Sequence, residues 1–209
     1  MQFTLPPIYP ITDKKLAKRA SHLSILKELV RGGAQLVQVR DKFTPLQDLL
    51  PDLRRCAEFA ANNGVTLIVD DRCDLVLSSG AMGVHLGQED LPPEAARAIL
   101  GQEKIIGFST HSPVQVKRSL HLPVQYIGFG PVYPTSTKEN PSPVAGLQRL
   151  AQACKTSSVP VVAIGGIGLE QVCEALETGA ASVAVISALM KATNLARQMQ
   201  RFLEKATAR

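Results

Sequence analysis

The sequence VPVVAIGGI at residues 159–167 joins an apolar run to a pair of glycines, and it decides how the rest of the chain is interpreted. Val161–Ile164 is apolar on both faces of an extended chain, as in strands that are covered on both sides of a parallel sheet. Gly165 and Gly166 then lead into a segment with helical spacing. A buried strand followed by a helix is the unit from which parallel α/β sheets are built.

The same unit recurs along the whole chain. The predicted strands are Ile8–Ile11, Leu36–Arg40, Thr66–Asp70, Gly83–Leu86, Lys104–Phe108, Gln125–Gly128, Val161–Ile164 and Ser182–Ile186. The clearest predicted helices are Leu16–Val30, Leu46–Asn62, Leu147–Lys155, Leu169–Thr178 and Ala188–Ala206. Eight strands that alternate with helices predict a (β/α)8 TIM barrel of the α/β class, with residues 1–209 forming one compact domain. A doubly wound open sheet is the alternative, although no glycine fingerprint of a nucleotide fold follows the first strand.

Composition narrows the class of protein. The chain has 209 residues, 45% of them hydrophobic, which excludes a disordered chain. Its longest apolar run is about half the roughly 20 residues that a membrane helix needs, and no export signal is evident, so we expect a cytoplasmic protein. The four cysteines are far apart and predict neither a zinc site nor disulfides. The formal net charge of +5 lies mostly on predicted helix faces without interleaved aromatic residues, which favours solvated surfaces over nucleic-acid binding.

Cations follow the second predicted strand. In a TIM barrel the active site lies at the carboxyl ends of the strands. Gln38, Arg40 and Lys42 alternate along an extended chain and can therefore share one face. An arginine beside a lysine suits a polyanionic ligand. The alternative is a surface charge cluster that Asp41 balances.

Carboxylates follow the next two strands. Asp70 and Asp71 end the third strand, and Asp90 follows the fourth. We expect these groups to converge above the barrel, where they suit Mg²⁺, which commonly takes one or two carboxylates and completes its shell with water and phosphate oxygens. The alternative is that Asp90 caps the helix that follows it.

Hydroxyl groups and glycines follow the remaining strands. Ser109 ends the fifth strand, and residues 128–138 form a long loop with hydroxyls and a lysine that we interpret as a mobile anion-binding lid. Ser109 is also compatible with ordinary helix-start chemistry, and the loop with a plain surface loop. Gly166 and Ser187, after the last two strands, predict a phosphate site rather than a simple tight turn. Two anionic ligands are therefore implied.

Other catalytic patterns are not evident in the sequence. There is no nucleophile elbow with a serine, histidine and aspartate set, and Lys138 comes too late to serve as a Schiff-base lysine at the end of the sixth strand. We interpret His85 as a core or wall histidine rather than as a base.

Six segments, in this order, resemble the thiamine phosphate synthase family. They are QVRDK (38–42), DRCDL (71–75), GVHLGQEDLP (83–92), GFSTH (107–111), GPVYPTSTK (130–138) and AIGGI (163–167). The resemblance implies condensation of hydroxymethylpyrimidine diphosphate with thiazole phosphate, which gives thiamine phosphate and diphosphate with the help of Mg²⁺. It implies a dissociative mechanism in which diphosphate leaves before the thiazole nitrogen captures the pyrimidine cation. It also implies small phosphorylated substrates and a homodimer.

The resemblance also implies a role for each matching residue. Asp71 and Asp90 match magnesium ligands. The residues that match diphosphate contacts are Arg40, Lys42, Ser109 and Lys138, and Gln38 lies near the pyrimidine. Thr135 and Thr137 match thiazole-phosphate contacts in the lid, and the cradle of the same phosphate is matched by Gly166, Ile186 and Ser187. The family usually has asparagine where this chain has Asp70, a carboxylate that either strengthens metal binding or repels diphosphate.

Two other functions are compatible with the same barrel. The related thiazole tautomerases act on the thiazole phosphate without metal or diphosphate. A tautomerase should therefore lack the carboxylates and the threonine-rich lid that this sequence has. The second alternative is a barrel that binds phosphorylated thiamine intermediates without turnover, and it is motivated by Asp70.

Overall fold

A closed parallel barrel forms the centre of the molecule. The computed structural model describes residues 3–135 and 143–208. Its strands are β1 (Ile8–Thr12), β2 (Leu36–Val39), β3 (Thr66–Asp70), β4 (Gly83–Leu86), β5 (Ile105–Thr110), β6 (Tyr126–Phe129), β7 (Val161–Ile164) and β8 (Ser182–Val185). Each strand pairs in parallel with the next, and β8 pairs with β1. The predicted TIM barrel is therefore confirmed, and the open sheet is excluded.

Helices connect the strands around the outside of the barrel. They are α1 (Lys14–Ala17), α2 (His22–Arg31), α3 (Leu46–Asn62), α4 (Cys73–Ser79), α5 (Pro93–Leu100), α6 (Pro113–Ser119), α7 (Gly146–Thr156), α8 (Val172–Glu177), α9 (Ser187–Met190) and α10 (Leu195–Thr207), and a 3₁₀ turn at Leu169–Gln171 precedes α8. Within the described ranges, none of these helices combines the length and the apolar character needed to cross a bilayer.

Three predicted helices are wrong as single elements. The segment Leu16–Val30 covers the end of α1 and most of α2. The two helices are separate because Lys18 adopts a left-handed conformation (φ 50°) and Ser21 Oγ accepts the Ser24 N–H to begin a new helix. The segment Ala188–Ala206 is divided in the same way at Asn194, whose side chain caps α10. Capping side chains offer the backbone a local hydrogen bond that competes with helix continuation. The segment Leu169–Thr178 begins as the 3₁₀ turn.

Side chains fill the inside of the barrel. The larger hydrophobic core lies between the strands and the surrounding helices, and a smaller one lies within the barrel. The inner cluster comprises Tyr9, Ile11, Leu36, Ile68, Ile105, Tyr126, Val162 and Ala184. The Tyr126 ring occupies the space that a β-carbon on Gly107 would need, so only glycine fits there. Because the interior is filled, ligands have access only to the ends of the barrel.

A buried arginine connects the segments that precede β5 and β6 through hydrogen bonds. Arg97, on α5, is 7% exposed, and its guanidinium donates to the carbonyls of Gly101 and Lys104 at 2.7 Å each. It also donates to the Pro123 carbonyl at 3.0 Å and to Gln125 Oε1 at 2.7 Å. One charged group thus satisfies four acceptors in the turns that precede two strands.

We predict that Arg97→Ala lowers the free energy of unfolding by about 3 kcal/mol, because a buried side chain and its hydrogen bonds to four acceptors are lost at once. Urea denaturation measures the change. The control is Arg201→Ala, which removes an exposed arginine on α10 and should change the free energy by less than about 0.5 kcal/mol. A loss of less than about 0.5 kcal/mol in Arg97→Ala would show that the buried arginine is not a stabilising element.

Candidate active site

Opposite charges meet where β2 and β3 end. These strands pair in parallel, with Val39 opposite Val69, so the residues after them are neighbours. Arg40 Nε and Lys42 Nζ each lie 3.4 Å from Asp70 Oδ2, and Lys42 also forms an ion pair with Asp71. The structure therefore brings the predicted cations and carboxylates together. Asp41 does not balance these cations at the mouth, since its carboxylate contacts Lys14 and His22 instead.

Asp70 lies in an environment that opposes its charge. Burial raises the pKa of its carboxyl group, the Lys42 and Arg40 cations act in the opposite direction, and the nearby Asp90 carboxylate raises it further. Because β3 pairs with β4, with Asp70 opposite His85, the carboxylates of β3 and of the β4–α5 loop follow neighbouring strands. A cation bound there reduces their mutual repulsion.

Asp71 has an unusual backbone conformation. Its φ of +61° lies in the left-handed region, which few residues other than glycine adopt. Hydrogen bonds hold the turn, because the Asp71 N–H donates to the His85 carbonyl and the Arg72 N–H to the Asp70 carbonyl, both at 2.8 Å. Strained residues cluster at functional sites, where the surrounding structure stabilises them. Sequence reasoning found the carboxylate but had no signal for this conformation.

Asp90 does not cap the following helix. Its Oδ2 accepts the Gly87 N–H at 2.6 Å, whereas α5 begins after Pro92 without a side-chain cap. The helix-cap interpretation of Asp90 is therefore wrong. In the part of the chain that the structure describes, no group of three or more histidine, cysteine or carboxylate side chains forms a ready metal site.

A chain of buried polar groups forms the floor of the mouth. Ser109 Oγ is 2.8 Å from His85 Nε2, and His85 Nδ1 is 3.1 Å from the Tyr126 hydroxyl. That hydroxyl is 2.9 Å from the Tyr9 hydroxyl, which accepts a hydrogen bond from Gln38 Nε2 at 3.0 Å. Burial lowers the pKa of His85 to about 4, so the ring is neutral at pH 7. His85 is thus the wall histidine expected from the sequence, whereas both tyrosines were missed because they read as ordinary apolar strand residues.

The glycine pair after β7 lies against the base of the β6–α7 loop. Gly165 and Gly166 have φ values of +99° and +66°, and a β-carbon on Gly166 would collide with the Pro134 carbonyl and with Tyr133. The Tyr133 N–H donates to the Gly165 carbonyl at 3.0 Å, and its hydroxyl donates to Glu174 at 2.6 Å. The turn and the loop are therefore packed as one unit.

The remaining predicted residues are only partly described. Ile186 and Ser187 lie at the junction of β8 and α9, next to the β7 turn because β7 and β8 are paired. Thr135 lies at the end of the described part of the β6–α7 loop. Thr137 and Lys138 lie outside the described residues.

Charged and polar groups from five successive strands or loops meet at one end of a filled parallel barrel, and this arrangement defines an enzyme of the TIM-barrel class. The family model described as thiamine monophosphate synthase matches residues 8–189. A thiamine-phosphate synthase from Persephonella marina is 42% identical over 93% of this chain and 92% of its own, and one from Salinibacter ruber is 40% identical over 93% and 86%. A solved thiamine phosphate pyrophosphorylase from Pyrococcus furiosus is 32% identical, with a TM-score of 0.86 over 97% of both chains.

The chain therefore belongs to the thiamine monophosphate synthase family, and it is a transferase. The resemblance read from six short segments is confirmed over nearly the whole length of the protein.

We predict that Gly166→Ala weakens binding of inorganic phosphate by about tenfold or more, because the new methyl group displaces the base of the β6–α7 loop from the turn. Isothermal calorimetry measures the affinity. Gly64→Ala is the matched control, since Gly64 has the same φ of +66° and no atom within 4 Å of the added carbon. The control carries the same backbone strain, so a similar loss in both variants would contradict a phosphate site at this turn.

Proposed function

We propose that the protein condenses hydroxymethylpyrimidine diphosphate with thiazole phosphate to give thiamine phosphate and diphosphate. The observation that carries the proposal is the cluster of Arg40 and Lys42 against Asp70 and Asp71, on the opposite side of the mouth from the Gly165–Gly166 turn. Two separate anion-binding regions suit two phosphorylated substrates. Family membership supports the same reaction.

The donor set at β3 and β4 fits a magnesium ion. Asp71 and Asp90 would hold it, because Mg²⁺ needs only one or two protein carboxylates when substrate phosphates and water complete its shell. When bound, the ion would neutralise the charge of the departing diphosphate.

Arg40 and Lys42 would bind the diphosphate and stabilise the charge that it gains as its bond to the pyrimidine methylene breaks. Cations fixed in advance lower the energy of such a step because they need no reorganisation during it. In the structure they are paired with Asp70, so an incoming diphosphate competes with this carboxylate. Ser109 would add a hydroxyl donor held by His85, and Lys138 a further cation.

Asp70 would adjust the affinity for diphosphate through these ion pairs. Its carboxylate shares both cations with the ligand, whereas the asparagine usual in the family carries no charge. Of the two alternatives left open by the sequence, competition with diphosphate is the one that the ion pairs favour.

Gln38 would contact the pyrimidine. Its amide donates to the buried Tyr9 hydroxyl, which fixes the direction of the side chain beneath the mouth. On the other side, Gly166, Ile186 and Ser187 would form the cradle for the thiazole phosphate, and Thr135 and Thr137 would contact it from the β6–α7 loop. Backbone N–H groups at glycine turns and helix starts suit phosphate oxygens.

The carboxylate cluster favours the synthase over the two alternative functions. A tautomerase acting on the thiazole phosphate alone has no use for a cation and carboxylate site on β2 and β3, and a binding protein has no use for metal-assisted departure of a leaving group. A cytoplasmic location, a homodimer and the absence of a nucleic-acid partner stay predictions from the sequence.

We expect diphosphate release only when both substrates and Mg²⁺ are present, and no release when either substrate is omitted or EDTA is added. A coupled assay for diphosphate measures it. Thiazole-phosphate binding without any release would favour the tautomerase or the binding protein over the synthase.

We predict that Asp90→Asn weakens binding of Mg²⁺ in the presence of diphosphate and lowers kcat by about a hundredfold, because one charged ligand is lost. Asparagine keeps an acceptor for the Gly87 N–H, so the loop should stay intact. Calorimetric titration of Mg²⁺ gives a readout that does not depend on turnover. Glu89→Gln, at the exposed neighbouring position, is the control and should change neither quantity.

A further inference from the structure

A buried polar network lies beneath the turn that carries Arg40 and Lys42. It consists of Thr12 at the end of β1, His22 at the start of α2 and Asp41 in the turn, and we call it the His22 network. His22 Nδ1 lies 2.8 Å from Thr12 Oγ1, and His22 Nε2 lies 2.9 Å from Asp41 Oδ2. The network closes on the cation-bearing segment, because the Arg40 N–H donates to Thr12 Oγ1 at 3.3 Å.

Asp41 is the acceptor on which the turn is built. Its Oδ1 accepts the N–H groups of Phe43 and Thr44, and its Oδ2 accepts the Thr44 hydroxyl at 2.6 Å. Lys14 Nζ lies 3.1 Å from the same Oδ2. Burial opposes the charge of Asp41, but the hydrogen bonds from Thr44, Phe43 and His22 hold the pKa of this carboxyl group well below its usual range. The carboxylate is therefore charged and saturated with donors.

The arrangement of hydroxyl, imidazole and carboxylate resembles a catalytic triad, but its burial excludes that role. Thr12 and His22 are both 0% exposed, so no substrate reaches the hydroxyl. The Thr12 oxygen already accepts from the Arg40 N–H, which leaves its proton for His22 Nδ1. Burial lowers the pKa of His22, so the ring is neutral at pH 7 and donates from Nε2 to Asp41.

Each group in the His22 network thus has a defined direction of donation. Through Thr12 and His22, the network connects the backbone N–H of Arg40 to the side-chain carboxylate of Asp41. Lys42 follows directly, and its ammonium meets Asp70 and Asp71 at the mouth. The side chains of Arg40 and Lys42 therefore extend from a backbone segment that buried hydrogen bonds hold in place.

We propose that Thr12, His22 and Asp41 are positioning residues that hold Arg40 and Lys42 in the geometry that binds diphosphate. The proposal rests on the proposed function only in assigning diphosphate to these two cations. It adds residues from β1 and α2 that contact neither a ligand nor the mouth, and whose effect is transmitted through the backbone of the turn.

The test uses Thr12→Val and Thr12→Ser. Valine has nearly the same shape as threonine but no hydroxyl, so the Arg40 N–H and His22 Nδ1 both lose their partner, whereas serine keeps it. We expect Thr12→Val to weaken calorimetric binding of diphosphate with Mg²⁺ by about tenfold and to raise KM for the pyrimidine diphosphate by a similar factor. Thr12→Ser should restore both values to within about twofold, and KM for the thiazole phosphate should not change in either variant.

Arg97→Ala separates positioning from stability. Arg97 is buried at the amino ends of β5 and β6, and its hydrogen-bond partners lie outside the His22 network. This variant should lower the unfolding temperature and leave diphosphate affinity unchanged. If affinity instead follows unfolding temperature across all the variants, or if valine and serine give the same affinity, the proposal is overturned.

Two further variants complete the design. If Thr12→Val does not fold, Asp41→Asn replaces it, because this change puts an uncharged amide against His22. Unchanged diphosphate affinity in Asp41→Asn would overturn the proposal. Arg40→Ala tests the proposed function separately. If Arg40→Ala loses diphosphate binding and Thr12→Val keeps it in full, only the positioning role is overturned. If Arg40→Ala keeps full binding, the assignment of diphosphate to this cluster is overturned, and the positioning proposal with it.

Discussion

Closure of an all-parallel sheet is the constraint on which the rest of this structure depends. Eight parallel strands that close on themselves leave no free edge, and all their carboxyl ends lie on one side. Buried side chains such as those of Tyr9 and Tyr126 fill the interior, so polar chemistry is confined to the residues that follow each strand. Positions far apart in sequence, such as Lys42 and Asp71, therefore become neighbours without any long loop to join them.

Charge compensation organises the mouth of the barrel. Arg40 and Lys42 share Asp70, and Lys42 also contacts Asp71, so these four side chains form one cluster. Under the proposed function, an incoming diphosphate would take over the cations, and a metal ion held by Asp71 and Asp90 would add positive charge beside them.

Buried polar groups form two hydrogen-bonded networks near the mouth. Beneath the mouth, Tyr9, Tyr126 and His85 join Gln38 to Ser109, and beside it His22 joins β1 to the turn after β2. A buried polar group without a partner is costly, so each network fixes the direction of the groups that it contains. Buried polar groups beneath and beside the mouth thus determine the orientation of side chains at its surface.

The sequence by itself determined the barrel, the family and the residues offered at each strand end, because hydrophobic periodicity and short motifs are local and survive without tertiary context. It placed Thr66–Asp70, Gly83–Leu86 and Leu46–Asn62 with the observed bounds, and it wrongly joined helices that Ser21 and Asn194 divide by capping. Only the tertiary structure decided the left-handed turn at Asp71, the acceptor role of Asp90 and the burial of His22 against Asp41. These features depend on partners between 3 and 19 positions away or on neighbouring strands, and neither residue type nor spacing determines which of several polar neighbours a side chain will meet.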